Sequence, residues 1–403
     1  MIDRELWGPL AGRYETVRPR KMLALDGGGI RGVLTLSILG AIERQVGQKL
    51  CDYFDYIAGT STGAIIAAGL AKGMTVDELI GFYRENGPGM FQRTRFLDRL
   101  NSLYGNGALQ KQLQVVFGSD SDLKPGTVDE PGILRTLLLV VTRNATTDSP
   151  WPISSNPAAR YNAPGRDDCN LCIPLWQLVR ASTAAPIFFP PEVIRIDPKD
   201  ESKTFVFVDG GVTPYNNPAF LLYRFATDPA YRLEWPKGER QLLLVSVGTG
   251  AAASAGATAD DANQNMLATG MTVPTALMYG SLVDQDINCR AVGRCTYGDV
   301  IDSELLDMVP RQGPDEGSRK ERLARPPVPL DEDLGRDFLY ARYNVDLSGA
   351  GLARLGCGDV DPGLAQKMDR ATEEHIELLL RIGGCAAGQV DVQRHLGPFA
   401  PTS

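Results

Sequence analysis

Histidine is the scarcest functional residue in this 403-residue chain, which has two, His375 and His395. Any site that needs an imidazole, as a base or as a metal ligand, is restricted to those positions. Basic excess is lacking too: the formal net charge is −8 and the pI is near 5.1. That balance argues against a nucleic-acid polymer as partner and against electrostatic docking on anionic lipid. Any membrane contact is then expected to be local, transient and hydrophobic. The longest apolar stretch, 57–71, is interrupted by Thr60, Ser61, Thr62 and Gly63 and falls short of the ~20 residues that span a bilayer. Residues 1–21 mix Asp3, Arg4, Glu5, Arg13 and Glu15 and carry no apolar core of a signal peptide. A soluble, cytoplasmic protein acting at most on a membrane surface is expected.

The seven cysteines are an odd number spread over a long chain, which points to thiols rather than a disulfide framework. Cys169-x-x-Cys172 is the one suggestive pair, but no second pair or nearby histidine completes a ligand set, so no metal is expected there.

What is present is an ordinary globular composition, 43% hydrophobic and 22% charged, with ample length for a large core. Lys21-Met22-Leu23-Ala24-Leu25-Asp26 reads as a strand running into Gly27-Gly28-Gly29-Ile30-Arg31-Gly32. Val33, Leu34, Leu36, Ile38, Leu39, Ile42 and Val46 then recur at helical spacing up to Gly47. A second strand is expected over 53–58 and an internal helix over 64–71. Thr75-Val76-Asp77-Glu78 has capping-box spacing and should open a helix that ends at Asn86-Gly87-Pro88-Gly89. The mixed stretch 91–130 is a candidate cap beside a site. The branched runs 133–141, 205–208 and 241–247 suit strands buried on both faces of a mainly parallel sheet. Residues 251–263 and 311–333 read as loops, and 266–384 as largely helical. The expected layout is an N-terminal extension (1–20), an α/β layered domain (21–250) and a largely helical region (251–403) packed on it.

Gly59-Thr60-Ser61-Thr62-Gly63 has the G-x-S-x-G form of a nucleophile elbow. A serine hydroxyl needs a base, and the anion formed on attack needs donors aimed at it. His375 falls on a helical stripe with Leu364, Met368, Ala371, Leu378 and Ile382, and His395 lies in a Gly- and Pro-bearing tail. Neither is placed as a triad histidine usually is, on a loop by the site. A carboxylate serves if partial burial raises its proton affinity. Asp209 stands between the strand Phe205-Val206-Phe207-Val208 and Gly210-Gly211, where α/β sheets gather ligand-binding groups. The plainer reading of Asp209 is a solvated Asp-Gly turn.

The loop at 27–32 offers unpaired amides and the positive end of a helix to an oxyanion, and Arg31 is placed to steady it or meet a phosphate. The same stretch satisfies G-x-G-x-x-G, with Asp52 and Asp55 near the expected acidic position. A nucleotide- or lipid-binding module therefore stays open, as does an esterase with a Ser61, Asp209, His375 triad.

Taken together, Asp26-Gly27-Gly28-Gly29-Ile30-Arg31-Gly32, Gly59-Thr60-Ser61-Thr62-Gly63 and Asp209-Gly210-Gly211 resemble the patatin-like phospholipase family. So do the stretches from Arg180-Ala181-Ser182 to Pro190-Pro191 and from Leu242 to Gly248-Thr249-Gly250. The resemblance runs from about 21 to 250. It implies a three-layer α/β/α fold with a mainly parallel sheet and a Ser-Asp dyad that hydrolyses phospholipid or lysophospholipid esters. Carried over, Ser61 is the nucleophile, Asp209 the base and the amides of Gly27, Gly28 and Gly29 the oxyanion hole, supported by Arg31, Gly32, Gly59, Gly63, Gly210 and Gly211. No cofactor is implied. Some bacterial members are effectors switched on by cyclic nucleotides, but no small-molecule sensor is legible in this sequence.

Overall fold

The computed structural model describes residues 2–91, 107–186, 189–252, 266–298, 330 and 332–401. Its centre is a nine-stranded sheet built from β1 (Arg20–Leu25), β2 (Tyr56–Thr60), β3 (Leu137–Asn144), β4 (Ser149–Ser154), β5 (Glu192–Arg195), β6 (Thr204–Asp209), β7 (Leu242–Val247), β8 (Arg294–Tyr297) and β9 (Leu339–Tyr343). The order is β5-β6-β3-β2-β1-β7-β9-β8, with β4 also on β3. β2, β1, β7, β9 and β8 run parallel, as does β3 beside β2, whereas β4, β5 and β6 are joined by antiparallel pairings.

Side chains alternate across a strand, so a sheet buried on both faces divides each strand between two cores. Leu23, Leu25, Ile57, Leu138, Val140, Leu243 and Val245 enter one core, and Met22, Ala24, Tyr56, Ala58, Leu137, Leu139 and Leu244 the other. The first core is covered by α1 (Gly32–Val46), α2 (Thr62–Lys72), α3 (Val76–Phe91), α4 (Gly107–Phe117), α5 (Leu175–Ser182) and α8 (Glu373–Ala387). The second is covered by α6 (Ala219–Thr227), the end of α7 (Met266–Val292) and the N-terminal arm. Helices on both faces of a mostly parallel sheet make the expected three-layer α/β/α fold. Among the described residues no helix is long and apolar enough to cross a membrane.

The N-terminal arm is held by chemistry its mixed sequence does not advertise. Trp7 and Tyr14 pack with Tyr56 and Trp235 in the second core. The buried carboxylate of Asp55 accepts from the guanidinia of Arg13 and Arg18 and from the Lys21 amide. Asp55 thus sits at the end of β1 opposite the glycine loop and Asp52 lies in the short helix Leu50–Tyr53; neither is placed to meet a ribose bound at that loop.

Several boundaries differ from expectation. The strand expected over 53–58 begins at Tyr56, because 50–53 form that short helix. The run 133–141 becomes Leu137–Asn144, extended by pairing to β4 and β6. The capping box closes as predicted, with the Thr75 amide donating to Glu78 Oε2 at 2.7 Å and the Glu78 amide to Thr75 Oγ1 at 3.2 Å. Its helix continues through Pro88 to Phe91, where buried Met90 ties the last turn to the core. The helical stripe 364–382 is two helices, Pro362–Ala365 and Glu373–Ala387, with 366–372 between them.

The C-terminal region, expected to be largely helical, also supplies β8 and β9, which continue the sheet beside β7. Their arginines hide the strand pattern: Arg294 and Arg342 are buried and ion-paired to Glu239 and Asp26. His395, expected in a loose tail, is buried in the helix Val392–Leu396 with its ring stacked on Tyr297 at 3.9 Å. Of the expected cap, 92–106 lie outside the described residues, while 107–117 form a helix whose Leu109, Leu113 and Phe117 join the first core. The loops expected over 251–263 and 311–333 also lie largely outside the described residues.

Leu23→Ala, in the middle of the sheet, should cost about 2–5 kcal/mol, read as a lower urea midpoint. Val17→Ala, at a side chain 95% exposed, should stay within about 0.5 kcal/mol.

Candidate active site

β3 has β4 along one edge through 139–144, so its partners on the other edge must share it. β2 occupies that edge up to Thr60 opposite Val141, and β6 takes over with Asp209 opposite Thr142. The residue after Thr60 is therefore delivered next to the last residue of β6. Ser61 Oγ donates to Asp209 Oδ2 at 2.6 Å.

Ser61 turns between β2 and α2 with φ 55° and ψ −124°, a strained conformation for a residue with a Cβ. The turn closes only because its flanks are glycine. A Cβ on Gly59 would lie 2.6 Å from the Ala64 nitrogen, and one on Gly63 would lie 2.7 Å from the Asp26 carbonyl oxygen. The Ser61 amide donates to Ser182 Oγ at 3.0 Å, and that hydroxyl donates to the Val141 carbonyl at 2.6 Å. α5 thereby ties the elbow to β3.

Both oxygens of Asp209 are engaged, Oδ2 by Ser61 and Oδ1 by the Gly211 amide at 2.6 Å. Gly210 packs on the Val141 backbone. Burial pushes the Asp209 carboxyl up to about 6, against the opposing pull of those two hydrogen bonds and the Arg180 charge. Arg180 is buried beside Phe189 and donates to the Pro190 carbonyl at 3.0 Å. The carboxylate is thus a stronger base than an exposed one, yet ionised for the most part at neutral pH.

The glycine loop stands across from the elbow, where a Cβ on Gly27 would lie 3.2 Å from Ser61 Cβ. The Gly27 amide donates to the Asn216 carbonyl at 3.0 Å, so it is not open to a ligand in this arrangement. The amides of Gly28 and Gly29 have no acceptor among the described residues. Gly29 has φ +61° and abuts Met368, whose carbonyl accepts the Ile30 amide at 3.0 Å. Gly32 opens α1 against the Thr62 side chain. Arg31 is half-buried; desolvation lowers its guanidinium to about 10, opposed by Asp26.

The support of this loop escapes sequence reasoning. Asp26, at the end of β1, takes a bidentate pair from Arg342 of β9 at 2.9 and 2.6 Å, and Arg342 also donates to Ser246 Oγ at 2.7 Å. Burial raises the Asp26 carboxyl while Arg342 opposes the rise. The one signal available is an arginine in the middle of Leu339-Tyr340-Ala341-Arg342-Tyr343, a short run otherwise suited to a strand.

The histidines lie elsewhere. His375 is buried in the first turn of α8, with Nε2 3.3 Å from the Lys367 carbonyl. Burial lowers its pKa, and burial takes His395, whose Nδ1 meets the Tyr343 hydroxyl at 2.9 Å, down to about 4. Ser61 and Asp209 meet with no imidazole between them. Among the described residues no cluster of three or more metal-ligating side chains occurs.

Removing one member of a buried pair leaves the other uncompensated. Arg342→Met should lower unfolding stability by about 3–5 kcal/mol in urea, and adding Asp26→Asn should recover part of that loss.

Residues 23–223 match the family model described as patatin-like phospholipase. The chain is 33% identical to intracellular phospholipase A2 of Caenorhabditis elegans over 57% of its own length and 19% of that protein's. It is 29% identical to Patatin-17 of Solanum cardiophyllum over 57% of this chain and 60% of that protein. Against the cGAMP-activated phospholipase of Vibrio cholerae serotype O1 it is 30% identical, over 59% of this chain and 66% of the relative. The chain thus covers less than two thirds of each of these relatives. Through the segment that holds the glycine loop, the serine elbow and Asp209, it belongs to the patatin-like phospholipase family.

Proposed function

We propose that the chain is a lipid acyl hydrolase that cleaves carboxylic esters of phospholipids or lysophospholipids through an acyl-Ser61 intermediate. The observation that carries this reading is the 2.6 Å bond from Ser61 Oγ to Asp209 Oδ2, with no histidine interposed. Asp209 takes the Ser61 proton as Oγ attacks the acyl carbonyl. The Gly28 and Gly29 amides donate to the oxygen that becomes negative, a donor of this kind being worth ~2.7–4 kcal/mol in the transition state. Collapse expels the lysophospholipid or glycerophosphoryl alcohol, which leaves with the proton. Water then gives its proton to the freed Asp209 carboxylate and attacks the acyl-serine; on collapse Asp209 returns that proton to Ser61 Oγ and the fatty acid is released. The substrate presents itself in a lipid surface, so contact with that surface is transient and local.

Fatty-acid release from phosphatidylcholine vesicles tests the scheme. Ser61→Ala should lower kcat on the order of 10⁴-fold or more, and Asp209→Asn by about 10²–10⁴-fold. His375→Ala should stay within about twofold of the parent, because its ring is not in the proton path. A fluorophosphonate probe should add to Ser61 by mass spectrometry; retained hydrolysis in the Ser61→Ala chain overturns the reading. The same assay with and without cGAMP tests for an activator of the kind in the Vibrio cholerae relative's name.

The base acts as the carboxylate, so protonation removes activity. With Asp209 held at about 6, kcat/KM should be level above that pH and fall about tenfold per unit below it. A limb near pH 4 would place the base elsewhere.

A further inference from the structure

Cys357 and Cys385 are 28 positions apart, and their sulfurs lie 3.2 Å from each other. Cys357 is fully buried just after the helix Gly349–Arg354, and Cys385 is half-buried in the last turn of α8. An outer contact holds the same two segments in register: Arg381, one helical turn before Cys385, donates to both oxygens of Asp359, two residues after Cys357, at 2.9 and 2.6 Å. A disulfide has sulfurs about 2.05 Å apart, so closure asks each sulfur to move by well under an ångström. No role in the ester chemistry accounts for this pair.

We propose that Cys357 and Cys385 form a reversible oxidation site that a peroxide closes to an intrachain disulfide. Cys385 is the sulfur open to the oxidant. Its thiolate attacks one peroxide oxygen, giving sulfenic acid and, with hydrogen peroxide, hydroxide that is protonated to water. Cys357 then attacks the sulfenic sulfur and loses its proton, and the sulfenic oxygen leaves as a second water. In sum, two thiols and one hydrogen peroxide give one disulfide and two waters, with two electrons passing from sulfur to oxygen. Burial and the adjacent thiol hold Cys357 up at about 11, which makes it the poorer attacker of a free oxidant; its contact with Cys385 is what gives it the second step.

The ring so closed contains Met368, whose carbonyl holds the Ile30 amide behind the glycine loop. The proposal rests on the thiols alone and stands whether or not Ser61 is the nucleophile. It is read without an activity assay.

The full chain is treated with a few equivalents of hydrogen peroxide, quenched, alkylated and digested with trypsin without reductant. Cys357 and Cys385 fall in separate peptides, 355–367 and 382–394, and the exposed Cys172 lies in 167–180 as an internal gauge of oxidant dose. The expected product is 355–367 linked to 382–394, lighter than their sum by two hydrogens and separated by dithiothreitol. In Cys357→Ser the sulfenic acid has no partner, so dimedone trapping at Cys385 should rise several-fold over the parent chain. The proposal is overturned if, with Cys172 oxidised, the two peptides stay separate or Cys385 is joined only to a second molecule. Equal dimedone trapping in both proteins overturns it as well.

Discussion

Everything at the candidate site depends on one shared strand edge. β3 gives the same side first to β2 and then to β6, so two chain segments that are 148 residues apart in sequence end side by side. Strand register is fixed by the hydrogen-bond ladder to a fraction of an ångström, and that precision passes to the two side chains placed where one ladder stops and the other starts. The strained backbone at Ser61 is maintained from both sides, by glycines that let the turn close and by Ser182 binding its amide. Ordered backbone, rather than a mobile loop, holds the hydroxyl against the carboxylate.

Electrostatics at the site follow from burial set against a limited number of donors. Asp209 is taken out of water and given two hydrogen bonds and the more distant Arg180 charge, which leaves it a stronger base than an exposed carboxylate. Asp26, equally buried, is instead given a full bidentate arginine. Burial raises both carboxyls, but one faces a hydroxyl and the other is locked in a bidentate pair. The difference separates a group that can accept a proton from one that positions the loop beside it.

The parts of this arrangement legible in the sequence were those carried by short-range steric need. Gly59 and Gly63 around Ser61, the glycine loop after an apolar run, and Asp209 before Gly210-Gly211 each mark a strand end where backbone must pass close to backbone. The capping box at Thr75 was legible for the same reason, since both of its partners lie within one turn. What stayed hidden depends on partners far along the chain. β8 and β9 look unlike buried strands because they carry Arg294 and Arg342, whose charges are paired inside by Glu239 and Asp26. The Gly27 amide is taken by the Asn216 carbonyl, a partner remote in sequence. His395 similarly gains its burial from Tyr297 and Tyr343.

The position of β1 bears on what may be cut from this protein. β1 carries the glycine loop, and its two neighbours are β2, inside the family-matched segment, and β7, outside it. A fragment ending where that segment ends would bare the whole flank of β1, with its amides and carbonyls unpaired at the centre of the former sheet. Such a flank, apolar on both faces, is a template for other chains. The smallest unit that keeps β1 paired on both sides therefore reaches at least through β7 and, because Arg342 neutralises Asp26, through β9 as well.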